Sequence, residues 1–81
     1  MEIMERNLAM AEAWKQLYED CQLHINVLEK INAEHEEQLE TKELSGSEIA
    51  YHMDVIRRNA FKIDSFETIK GWIEKEVAGN G

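Results

Sequence analysis

The sequence predicts an all-α fold: a long N-terminal helix and two shorter helices folding back antiparallel along it, assembled as a dimeric helical bundle. Three observations carry this. Proline is absent, and from Ile3 to about Glu43 no glycine interrupts the chain. Apolar residues recur in alternating steps of four and three, the spacing of a helical stripe rather than of a strand. Two Ser-x-x-Glu-like punctuation marks, near Ser45 and Ser65, divide the remainder.

The first helix is expected over about 3–43. Its seam reads Met10, Trp14, Leu17, Cys21, His24, Leu28, Ile31, His35. Beside it a second row at seven-residue spacing, Met4, Ala11, Tyr18, Ile25 and Leu39, is broken only by Asn32. Two adjacent rows make a stripe as wide as a bundle helix needs. The face turns polar from Asn32 to Gln38, where a kink or an early end is expected. A turn at 44–47 follows, with Ser45 and Glu48 fitting a capping box and Gly46 supplying a permissive backbone. The second helix, about 48–63, presents Ile49, Met53, Ile56, Ala60 and Ile63. At Phe66 the phase slips, and Asp64-Ser65-Phe66-Glu67 reads as a second cap, so a third helix is expected over about 65–77 with a frayed tail at 78–81. All of this lies in one domain, 1–81.

Length and composition narrow the function. Eighty-one residues allow one domain. Leu, Ile, Val and Phe together number 19, close to the lower limit for a folded chain, so oligomerisation is expected to supplement a small core. At about 1.5 Å per residue the long helix exceeds the two returning ones, leaving Ile3, Met4, Leu8 and Met10 as an uncovered apolar patch for a homodimer or a docked partner. The N-terminus shows neither a signal peptide nor a membrane span, and the single cysteine excludes an internal disulfide; both point to the cytoplasm.

The net charge of −8 is unevenly placed. Residues 1–28 carry −3, residues 29–48 carry −5, and residues 49–81 are neutral. Glu29, Glu36, Glu37, Glu40 and Glu43 project away from the Leu28 and His35 seam as an acidic ridge. Such a ridge fits a basic partner, including a groove that otherwise holds nucleic acid, and disfavours direct contact of this chain with nucleic acid or an anionic membrane. The ordinary alternative is a face that is merely solvated.

Chemistry is sparse. Cys21 and His24 share a face at i and i+3, with His35 further along and His52 able to approach from the second helix, but the donors are too few for a metal centre, and no metal or other cofactor is expected. Neither Cys21 with His24 nor Ser47 with His52 sits on a sharp turn beside oxyanion donors, so no catalytic residue is assigned. Arg57, Arg58, Asn59 and Lys62 form the one basic stretch, which as an outer face resembles a DNA-reading helix; its ordinary reading pairs Arg58 with Asp54. Of the neighbours Trp72 and Ile73, one must sit at the edge of the buried face, and an exposed Trp72 is the best candidate hot spot. The sequence therefore suggests a small acidic protein-binding module, an inhibitor or adaptor. A structural dimerisation or assembly component is the competing class, and a DNA-binding regulator the third.

Overall fold

In the computed structural model, which describes residues 2–80 and the side chains of residues 10–77, the chain forms two helices, α1 (Glu2–Thr41) and α2 (Gly46–Asn80). They pack on each other as a hairpin. Tyr18 meets Glu74, Gln22 meets Lys70, Asn32 meets Asn59 and His35 meets His52, so one helix descends as the other rises. The shape is a rod of 64 × 15 × 15 Å. Its radius of gyration is 18.5 Å, against about 12 Å for a compact domain of this length.

Residues Lys42 to Ser45 make the connection. Thr41 closes α1 by donating its hydroxyl to the Glu37 carbonyl at 2.7 Å. Ser45 is the N-cap of α2: the Glu48 amide donates to its Oγ at 3.2 Å, and the Ile49 amide to its carbonyl at 3.0 Å. In this box the Glu48 carboxylate accepts from the Ser45 hydroxyl at 3.0 Å, tightening the cap through side chains. Gly46 therefore opens the helix instead of making the turn, and among the described residues no glycine takes a positive φ.

The expected third helix does not exist as a separate element: α2 runs without a break through residues 63–65. Ser65 donates to the Phe61 carbonyl at 3.0 Å and Thr68 to the Asp64 carbonyl at 2.9 Å. These are back-bonds to i−4, made by hydroxyls inside a helix, and they replace the capping role expected for Ser65. The apparent phase slip has a simple cause. The packed seam of α2 is His52, Ile56, Asn59, Ile63, Phe66, Lys70 and Ile73, in unbroken steps of four and three that lead on to the exposed Val77, with polar residues standing where apolar ones were sought. Met53 and Ala60, expected on the buried face, are exposed.

α1 is also continuous and does not end early, running as one helix through residues 32–38. Its seam combines parts of both expected rows: Trp14, Tyr18, Cys21, Ile25, Leu28, Asn32, His35 and Leu39. Met10, Leu17 and His24 fall outside it and are exposed. α2 continues to Asn80, through most of the stretch expected as a frayed tail at 78–81, and residue 81 lies outside the described residues.

Burial is slight. Among the described residues, Cys21, Ile25 and Ile73 are the buried apolar side chains, at 2, 1 and 3% exposure, joined by Asn59. A Cβ added at Gly71 would meet nothing within 4 Å, so no close approach of the two helices depends on that glycine. The two serines give a direct check on the cap assignments. Ser45→Ala should lower the unfolding free energy by about 1 kcal/mol, whereas Ser65→Ala should leave it within about 0.5 kcal/mol, as read by urea titration followed by circular dichroism.

Candidate functional site

A two-helix hairpin has one seam and two flanks, and the side chains bordering the seam decide what each flank can bind. At the seam itself the polar residues are fully partnered. Asn59 Nδ2 donates to Asn32 Oδ1 at 3.0 Å, and Asn32 Nδ2 donates to the Ile56 carbonyl at 3.2 Å. A slip by one turn would break both bonds, so the pair holds the two helices in register. No buried side-chain nitrogen or oxygen among the described residues lacks a partner.

One turn nearer the loop, His35 Nδ1 lies 2.7 Å from His52 Nδ1. Tyr51 packs edge-on against both rings. Such a contact needs one ring nitrogen to donate and the other to accept, so it carries a single proton. Toward the open end, Lys70 crosses the seam to reach Gln22 Oε1, lies 4.9 Å above the Tyr18 ring and 3.9 Å from Glu67. Tyr18 in turn donates to Glu74 at 3.0 Å.

Seven-residue spacing from the seam contacts defines the flanks. One carries Lys15, Gln22, Glu29 and Glu36 from α1 beside Glu74, Glu67, Ala60 and Met53 from α2. The other carries Met10, Leu17, His24 and Ile31 beside Ile69, Lys62 and Val55, with Trp72 next to Ile69. Two open grooves near the mouth of the hairpin share Trp14 and Ile73. A groove of about 450 Å³ on the first flank is lined by Lys15, Tyr18 and Glu74; one of about 580 Å³ on the second is lined by Leu17, Ile69 and Trp72.

The acidic ridge residues Glu29, Glu36, Glu37, Glu40 and Glu43 are all exposed. None forms an ion pair among the described residues. They do not make one line: Glu29 and Glu36 border the seam on the first flank, Glu37 and Glu40 lie further round α1, and Glu43 is in the connection. Of the expected N-terminal patch, Ile3, Met4 and Leu8 lie outside the described side chains, and Met10 is 54% exposed. Trp72 is 63% exposed while its neighbour Ile73 is buried, so the tryptophan takes the edge.

Cys21 and His24 are not brought together. The thiol is buried in the seam, and the imidazole stacks on Phe66 at 4.9 Å with the rings 7° from parallel. No group of three or more metal-ligating side chains converges among the described residues. The basic stretch also divides, because Asn59 turns into the seam, away from the outer face expected for it. Arg57 and Arg58 both pair with Asp54, at 2.9 and 3.0 Å. The hydrogen bond from Arg57, helped by the charge of both guanidiniums, holds the Asp54 carboxyl below its ordinary range. This stabilisation is present at neutral pH and lost as pH falls through the lowered value. Sequence reasoning missed the polar seam of Asn32, Asn59 and Lys70. The signal was present in the unbroken four-three spacing from His52 to Val77, once polar residues are admitted to it.

Fold and flanks together define an all-α helical hairpin, and among the described residues no helix is long and apolar enough to cross a membrane. No family model matches the chain, no curated protein matches it, and no solved structure matches it.

The histidine contact predicts a stability effect confined to one end of the rod. A His52→Ala chain, which leaves His35 without its ring partner, should show amide exchange near residues 35 and 52 accelerated severalfold more than exchange near Ile25 and Phe66.

Proposed function

We propose that this chain works by binding protein surfaces rather than by catalysis, as an assembly component whose fold is completed on association. The observation that supports it is the mismatch between burial and exposure. Among the described residues only three apolar side chains are buried where the two helices meet, while Met10, Leu17, Leu23, Val27, Phe61, Trp72 and Val77 among others remain exposed. A single seam of this kind buries too little to hold a chain of this size firmly, and association is the usual remedy. The grooves beside Trp14 are open, which suits a protein surface better than an enclosed substrate. A homodimer is the simplest such assembly. A cytoplasmic setting accords with the unpaired thiol of Cys21.

If association completes the fold, melting depends on concentration by mass action. The midpoint followed by circular dichroism should rise by roughly 5 °C or more between about 2 and 200 μM chain. A midpoint that stays constant across that range would overturn the reading.

A second reading rests on the ridge: five exposed glutamates with no ion pair among the described residues suit a basic partner, and nucleic-acid mimicry is its specific form. It also carries a stability cost, since Glu36 and Glu40 repel at i,i+4 by a few tenths of a kcal/mol. A chain with Glu36→Lys, Glu40→Lys and Glu43→Lys should stay helical but lose retention of basic partners that the unaltered chain releases between about 0.1 and 0.5 M salt. Equal retention by both chains would remove the ridge from function.

A further inference from the structure

The two flanks of the hairpin differ in a way that selects one of them for self-association. The flank bordered by Glu29, Glu36, Glu67 and Glu74 is acidic. In a two-fold symmetric contact a surface meets itself, so two copies joined there would set carboxylates against carboxylates. The opposite flank is apolar over most of its length: Met10, Leu17 and Ile31 from α1, and Val55, Ile69 and Trp72 from α2. Its interruptions are His24 and Lys62 near the middle, with Gln38, Glu48 and Glu76 toward the ends. His24 is already stacked on Phe66, and Lys62 has a long stem that can cover apolar surface while its amine stays in water.

Area supports a second copy as the occupant. The chain exposes 6566 Å², whereas a compact monomer of 9.5 kDa exposes about 5,000 Å². The excess is therefore about 1,500 Å² per chain, beyond the roughly 800 Å² that each partner gives up in a standard interface and within the range of an obligate homodimer. A second hairpin laid on the apolar flank would turn two seams into a four-helix arrangement, the smallest that copies of a hairpin can build with each helix packed on more than one neighbour.

We propose that the apolar flank, centred on Leu17, Ile69 and Trp72, is the contact face between two copies of this chain. This rests on the assembly reading above and specifies its partner and its surface. The 580 Å³ groove at the mouth of one hairpin receives side chains of the other copy, and Trp72 passes from water into the joined core. The acidic flank stays outside, which leaves the glutamates free in the assembled form.

The experiment uses the full chain carrying Trp14→Phe, so that Trp72 is the sole indole, and reads mass by sedimentation equilibrium alongside tryptophan emission. The mass should change from one chain to two with concentration, and the emission should shift to shorter wavelength with the same midpoint. Leu17→Glu and Trp72→Glu, in the unaltered background, should each raise the dimer dissociation constant about thirtyfold or more, as loss of a hot spot does. Leu23→Glu and Phe61→Glu, exposed on the backs of the helices, should leave it within about threefold. Helicity at high concentration checks each variant. The proposal is overturned, and the assembly reading survives, if mass doubles while Trp72 emission stays that of an indole in water, or if the Leu23 and Phe61 variants dissociate as much as Leu17→Glu. A monomer at every concentration, with a melting point independent of concentration, overturns both.

Discussion

Each helix of this protein has a single neighbour, and almost everything else follows from that constraint. A helix packed on one partner can bury one stripe, about two positions in seven, whatever its composition. Residues just beside the stripe are left at its edge, as Leu17 and Trp72 are, and residues behind it are left in water, as Leu23 and Phe61 are. Ile25, Cys21 and Ile73 are buried because they stand at the centre of the stripe, where both helices cover them.

A seam this thin also has a specificity problem. Two long helices with similar apolar repeats can slide by one turn and still bury comparable area. Polar side chains in the seam oppose that, since Asn32 and Asn59 are satisfied in one register alone, and a slip would leave amide groups without partners at a cost of about 1–3 kcal/mol each. Lys70 acts similarly toward the open end, with its amine held among Gln22, Tyr18 and Glu67. These residues give up apolar burial and in return define a unique pairing. The net charge of −8 lies away from this seam, in glutamates that solvent reaches.

The helical class, the long first helix, the Ser45 cap and the need for one of Trp72 and Ile73 to take the edge were legible in the residues, because spacing, capping chemistry and the adjacency of those two side chains are local properties. The unity of α2 was not. Taking Met53 and Ala60 as seam residues made Phe66 look out of phase, whereas His52 and Asn59 keep the count. Hydrophobicity alone could not identify those two as inward-facing: their burial depends on partners 17 and 27 residues away in the chain. The same long-range pairing separated Asn59 from Arg57 and Arg58, and Cys21 from His24. Ser65 misled for a related reason, since a hydroxyl that caps a helix and one that back-bonds within it occupy similar sequence contexts.

The geometry of the connection carries a kinetic consequence. Contacts across the seam join residues separated by 17 positions beside the loop, then 27, then 48 and finally 56 at the mouth. Because the entropy of closing a loop grows with its length, the pairing that starts at Ser45 has the lowest barrier, and each later contact closes on a hairpin already begun. The chain therefore zips from the histidine end toward Trp14. Opening runs in reverse, so the mouth, where the apolar flank is broadest, is the last part to close and the first to part.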